Sequence, residues 1–330
     1  MLNVTSVLRR PGVLVLALAS MLAAPVAGQG DGARTYWHGL TGTNLINYWY
    51  LDGQSNFNPF VALGAGPANS NIQLDATMVV FGYSRTFDLF GRSASASLFL
   101  PGGNLSGELA GTPITRLESA QGFGDPLVQL GVNVFGAPAM PTFAHVTNYQ
   151  LDTTLDLLVT IGVPIGEYHS TAPLNIGQNR WSVRLAAPFV QRIGPWVTGE
   201  RTTFELLPSV WFFTDNDDFQ GQRLEQDPLF GLESHLTRDL TEDLFVSLDY
   251  TFQSSGDTTI GGMNLGNSDN SSFLGGTLGF MATDNLQMRL SFGSTVGGGD
   301  MDGAMIRIEF NYGWHGLVES LKNLGSGHTP

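Results

Sequence analysis
The stretch Asn285-Leu286-Gln287-Met288-Arg289-Leu290-Ser291-Phe292 alternates without a break. In an extended chain successive side chains point to opposite sides. Leu286, Met288, Leu290 and Phe292 therefore share one face, and Asn285, Gln287, Arg289 and Ser291 share the other. This spacing predicts a strand that is greasy on one side and polar on the other.

The same pattern recurs on both sides of that stretch. Between Leu244 and Gln253, the set Leu244, Val246, Leu248, Tyr250 and Phe252 opposes Ser247, Asp249, Thr251 and Gln253, and near the end Ile306, Ile308, Phe310, Tyr312 and Trp314 oppose Arg307, Glu309 and Asn311. Earlier versions run over Pro126 to Val134, Leu155 to Ile161 and Arg180 to Arg192. Together with weaker candidates, about twelve strands are predicted, near 40–51, 71–87, 92–100, 124–136, 149–163, 179–193, 202–214, 227–237, 243–253, 272–282, 285–294 and 303–314. Most approach the length a tilted strand needs to cross a bilayer.

The connections alternate as well. Polar stretches rich in Gly, Pro and Asn at 52–70, 101–123, 164–178, 215–226, 254–271 and 295–302 are interleaved with tighter ones at 88–91, 194–201, 238–242 and 283–284, and a middling one falls at 137–148. Short turns at one rim and long loops at the other characterise outer-membrane barrels, with the short turns periplasmic. One-sided strands would also suit a soluble sandwich. Aromatics near strand ends tip the balance: Tyr48, Trp49 and Tyr50, Phe87 and Phe90, Trp211 to Phe213, and Tyr312 with Trp314 are placed to form interfacial girdles. The expected fold is all-β: an antiparallel transmembrane β-barrel of about twelve strands with short periplasmic turns and long extracellular loops.

Composition narrows the chemistry. The chain has no cysteine, which removes disulfides, thiolate metal sites and thiol nucleophiles. Its net charge is -14, and Lys322 is its single lysine, so nucleic acid is not expected as a partner. Arg9 and Arg10 precede an apolar stretch from Gly12 to Val26, and small residues follow at Ala27 and Gly28. That is the order of parts in a secretory signal, on a stretch shorter than the roughly 20 residues of a spanning helix. Residues 1–28 are expected to be a signal peptide cut near Gln29, 29–314 the barrel, and 315–330 a periplasmic tail that extends outward or plugs the lumen.

Three motifs carry a resemblance to a known family. Gly122-Phe123-Gly124-Asp125-Pro126 opens a strand, Val163-Pro164-Ile165-Gly166-Glu167-Tyr168 closes one, and Asn175-Ile176-Gly177-Gln178-Asn179-Arg180-Trp181 follows. On these the chain resembles the "Putative MetA-pathway of phenol degradation" family of outer-membrane transporter-like barrels over roughly 40–314. The resemblance implies a channel or transporter for small hydrophobic or aromatic compounds, and it supplies no ligand residues. Read as chemistry, the motifs are turn and strand-entry signals, with a pore or gate as the lesser reading.

The polar faces would line an enclosed bore. Asp75, Asp156, Arg180, Arg184, Glu205, Glu233, His235, Asp249, Arg289, Arg307 and Glu309 are the candidate lumen residues, where Arg opposite Asp and Glu could hold shape or tune selectivity. A barrel of this size is narrow enough for side chains nearly to fill it.

No catalytic residue, metal or cofactor is assigned. Ser234 and His235 are adjacent, so a strand sends them to opposite faces, and His169 with Ser170 lies in a loop. Asp215, Asp217 and Asp218, and Asp300 with Asp302, offer oxygen ligands of the kind calcium takes, and solvated acids are the plainer reading. The expectation is a monomeric, non-enzymatic channel in the outer membrane of a Gram-negative-type cell, partnered by outer-membrane lipid and a small molecule, with aromatic compounds among the candidates. The alternatives are a non-conducting structural or adhesive barrel and a barrel-embedded lipid hydrolase.

Overall fold
The structure is a computed structural model that describes residues 30–56, 72–109, 116–298 and 302–316. Its strands in chain order are β1 (Asn44–Ser55), β2 (Ile72–Leu89), β3 (Arg92–Leu109), β4 (Arg116–Phe123), β5 (Leu127–Phe135), β6 (Thr153–Gly162), β7 (Ser182–Ala186), β8 (Phe189–Arg192) and β9 (Thr202–Phe213). They continue as β10 (Asn216–Phe219), β11 (Gln222–Gln226), β12 (Leu229–Asp239), β13 (Leu244–Ser255), β14 (Thr258–Ile260), β15 (Met263–Asn264), β16 (Asp269–Thr283), β17 (Leu286–Gly298) and β18 (Gly303–Trp314). A single short helix, α1 (Phe143–Asn148), stands among the described residues in the link between β5 and β6.

Twelve antiparallel walls close into a ring, with β4 and β5 forming one broken wall strand and β7 and β8 another. Neighbours in sequence are neighbours in the ring, β9 pairs β12, and β18 closes on β1 through pairs such as Tyr48↔Phe310. Closure leaves no free sheet edge, which lipid demands because it offers no hydrogen-bond partners. The tight turn between β2 and β3 uses Phe90 and Gly91, both at positive φ, the geometry of a two-residue hairpin.

Each break in a wall strand falls at a proline, which has no N–H to give to a ladder. Pro188 separates β7 from β8, and β6 bridges the gap because the Asp156 amide donates to the Pro188 carbonyl at 2.8 Å. Pro126 follows the break between β4 and β5. There the Gly124 amide turns to the Pro101 carbonyl at 2.8 Å.

The structure extends two sequence expectations. The stretch 101–123, read above as a loop, carries β3 and β4 upward as an arm: Leu105 and Gly107 stay buried while Asn104, Ser106 and Glu108 are exposed, so its outer face is polar where it leaves the lipid. The polar stretches 215–226 and 254–271 contribute β10, β11, β14 and β15, which assemble into a separate four-stranded sheet at the long-loop end.

Alternation sets the two surfaces. On β6, Leu157, Val159 and Ile161 are exposed to the outside while Thr154, Asp156, Leu158 and Thr160 are buried. On β13, Leu248 and Tyr250 face out while Ser247, Asp249 and Thr251 face in. A ring of small diameter with a filled interior buries its polar faces, the inverse of a soluble sandwich.

Candidate functional site
The lumen is occupied by the chain's own residues 30–43, which enter β1 from inside the ring. Asp31 accepts from Arg184 Nη1 at 2.8 Å and from Tyr36, while its amide donates to Glu233 at 2.8 Å. Arg34 reaches Asp239 at 2.6 Å and lies over the rings of Trp37 and Phe245. Its amide and Trp37 Nε1 both donate to Glu205, at 2.8 and 2.9 Å. His38 sits 3.0 Å from Ser93 and 3.2 Å from Asp156. Glycine makes this fit: a Cβ at Gly30 would stand 1.8 Å from the Glu233 carboxylate. The expectation that the C-terminal tail plugs the bore concerns mostly residues 317–330, outside the described ones. The segment that does fill it lies at the other end of the barrel sequence.

The wall residues around this segment form a nearly continuous ionic network. Glu309, with no exposed surface, is ion-paired with Arg289 and with Arg307 Nε, the latter at 2.8 Å. Arg289 also donates to the Ala33 carbonyl at 2.5 Å, and Arg307 to the Gly30 carbonyl at 2.5 Å. Glu233 pairs with Arg184 at 3.2 Å. His235 lies 2.7 Å from Asp249, which also takes the hydroxyls of Ser247 and Thr277. Buried charges persist only when paired and hydrogen-bonded. Here the partners come from the plug and from neighbouring walls.

Ten of the eleven candidate lumen residues are buried: Asp156, Arg180, Arg184, Glu205, Glu233, His235, Asp249, Arg289, Arg307 and Glu309. Asp75 is the correction. It is exposed on the outer face of β2, between buried Leu74 and Ala76. In that part of β2 the inward set is apolar, so the polar residue marks the outside. Two aromatics expected in girdles also turn inward: Trp49 lies between outward Tyr48 and Tyr50, and Trp211 next to outward Phe212. Period two alone separates them, since consecutive aromatics cannot share a face.

The inward faces of β1, β2, β3 and β5 carry no charge in their upper part. Leu51, Leu74, Ala76, Met78, Val80, Phe99, Leu105 and Leu127 pack there with Leu174 and Ile176 from the segment after β6. Trp49 and Phe99 pack ring on ring at 5.3 Å. A cavity of about 340 Å³ lies between this apolar wall and the charged one, with Trp49, Val80 and Phe99 on one side and Arg184, Glu233 and Arg307 on the other.

The three glycine-containing motifs meet at one point of the ring. Asp125 accepts the amides of Gly166 at 2.9 Å and Gln178 at 2.8 Å, and the Glu167 amide donates to the Phe123 carbonyl at 2.7 Å. A Cβ on Gly166 would stand 2.6 Å from the Gly124 carbonyl carbon, and one on Gly177 would stand 2.7 Å from that of Gly166. These contacts pin 163–181 across the place where β4 and β5 part.

The residues singled out above for rival chemistries are not assembled in this way. Ser234 faces away from the lumen, and Ser247 gives its hydroxyl to Asp249 rather than to His235, so neither serine is set against His235 as nucleophilic catalysis requires, while His38 of the plug lies between Ser93 and Asp156 in the buried interior. Exposed His169 lies 3.7 Å from Glu167 in the loop. Asp215 and Asp217 pair with Arg223, and no group of three potential metal-binding side chains occurs among the described residues. Hydrogen bonds from Asn264 and the Ser268 amide hold the Asp257 carboxyl below its usual range, so that acid serves its own loop. Asp300 lies outside the described residues.

Comparison with known proteins agrees with the architecture. An outer membrane channel of Pseudomonas putida F1 is similar at 17% identity and a TM-score of 0.70, over 86% of this chain and 100% of that one. At this identity the likeness shows the fold. The β domain of the Bordetella autotransporter BrkA, at 10% identity and a TM-score of 0.45 over 83% of this chain and 100% of that one, is too distant to add to it. No curated protein matches the chain by sequence. The family model described as "Putative MetA-pathway of phenol degradation" matches residues 50–301, and the chain belongs to that family.

Proposed function
We propose that this barrel is a monomeric channel of the outer membrane, exported by a cleaved signal peptide, that takes up small hydrophobic or aromatic molecules. The observation that carries the reading is the cavity of about 340 Å³ inside the ring, apolar on one side and charged on the other. An apolar cavity of about 150 Å³ is enough for benzene, so this one has room for a substituted single ring. The apolar wall offers passing molecules a largely hydrocarbon and aromatic surface, and the charged wall keeps the bore from collapsing. One chain closes the whole ring, so the lumen needs no second copy. No enzymatic step is assigned to it.

The filling of the bore by 30–43 favours one second reading, a closed barrel with a structural role. Planar-bilayer recording of the purified protein separates the two. The channel reading expects discrete current steps that small aromatic solutes block in a concentration-dependent way. Absence of steps both in the intact protein and after removal of the plug would leave the structural barrel.

A further inference from the structure
We infer that the seam between β1 and β18 is a binding subsite for a single aromatic ring bearing an oxyanion, a carboxylate or a phenolate. The inference rests on the channel reading and narrows its substrate class. Leu51 of β1 pairs with Arg307 of β18, so the apolar wall and the charged wall touch at this point of the cavity. Three buried donors there have no hydrogen-bond partner among the described residues: Trp49 Nε1, Arg307 Nη2 and Arg307 Nε, the last of them ion-paired with Glu309. Arg307 is 2% exposed, and its guanidinium carbon lies 5.9 Å from the centre of the Trp49 ring. Buried donors are almost always satisfied, so adjacent orphan donors beside a cavity are the signature of a missing acceptor.

Chemistry and shape agree. Arg289 and Arg307 share the carboxylate of Glu309, and Asp31 and Glu233 share Arg184 beside them, so the charges around the cavity balance and what this place lacks is an acceptor for its unmet N–H groups. Beside it, Trp49, Val80, Phe99 and Leu127 make an apolar shelf that faces the same cavity. A ring laid on the shelf brings a substituent oxygen toward Trp49 Nε1 and Arg307 Nη2. On the plug side Gly32 packs against Nη2, where a Cβ would stand 2.3 Å from it. A bare hydrocarbon would fill the shelf and leave the donors unmet. An aromatic amine would bring further N–H donors to Trp49 Nε1 and Arg307 Nη2, which need an acceptor.

Isothermal titration of the full-length protein in detergent with benzoate, 4-nitrophenolate, benzyl alcohol and benzylamine tests the assignment. Benzoate and nitrophenolate should bind, benzyl alcohol more weakly, and benzylamine weakest. Binding by only one oxyanion identifies which of the two the seam accepts. Arg307→Gln should weaken benzoate roughly tenfold or more, the worth of a charge-assisted hydrogen bond. Trp49→Phe keeps the ring against Phe99 while removing the donor, and should weaken benzoate several-fold with the barrel intact. Equal affinity for benzoate and benzylamine, no heat with either oxyanion, or unchanged benzoate affinity in Trp49→Phe would overturn the assignment. Oxyanion binding without any block of current would instead defeat the channel reading and leave the subsite standing. Equal block by benzoate and benzylamine would do the reverse.

Discussion
The wall from β1 to β5 and the wall from β9 to β18 enclose the same lumen and are held by opposite physics. In the upper part of the first, Leu74, Met78, Val80 and Leu105 point inward and pack with Leu127 and Ile176, and none of them requires a particular partner. In the second, Glu205, Glu233, Asp249 and Glu309 are each held by a named donor. A charged wall is committed to its partners, because each buried charge left alone costs more than the pair contributes. An apolar wall is free to accept whatever lies against it. On the channel function proposed above, the charged wall holds shape and plug and the apolar wall meets the passing molecule.

The largest effect is expected at the plug. Deleting residues 30–39 removes Asp31 from Arg184 and Arg34 from Asp239, and a barrel that keeps its hydrogen-bonded ring should show planar-bilayer current steps several-fold larger than the intact chain. Next comes Glu309→Gln, which leaves Arg289 and Arg307 without their carboxylate. It should lower stability by about 4 kcal/mol, measured by urea unfolding in lipid vesicles. Leu105→Ala on the apolar wall should cost about 2 kcal/mol in the same assay, because nothing there is left with an uncompensated charge.

Two smaller tests sharpen the picture. Asp125→Asn weakens the grip on the Gly166 and Gln178 amides, and by about 1.5 kcal/mol should speed hydrogen exchange at those two positions while the strand amides of β6 keep their protection. Asp75→Asn, on an exposed outer face, should leave stability within about 0.5 kcal/mol and conductance unchanged.

Most of the ring was legible in the sequence. The alternation at Asn285 to Phe292 reports lipid on one side and a polar interior on the other, and the observed strand runs over Leu286–Gly298. Pairing along the ring is local, so a chain of hairpins could be read in order. What stayed hidden depends on contacts far apart in sequence. Residues 30–39 have no strand period, and their partners lie at Glu205, Glu233 and Arg307. The three glycine motifs were visible singly, yet their meeting at Asp125 follows from the break at Pro126, which moves one edge of β4 away from β6. Asp75 misled because its polarity was read as inward, whereas its neighbours Leu74 and Ala76 already occupied that side.

If the inward faces of the ring line the path that molecules take, a reagent in the water must meet inward side chains and miss outward ones. A chain without cysteine permits a direct test, with single cysteines at Gln129, which borders the cavity, and at neighbouring Leu130, which is 56% exposed on the outer face. In planar bilayers a water-soluble thiol reagent should reduce the current of Gln129→Cys and leave that of Leu130→Cys unchanged. Equal loss at both positions, or loss at Leu130→Cys alone, would contradict a path along the inward faces.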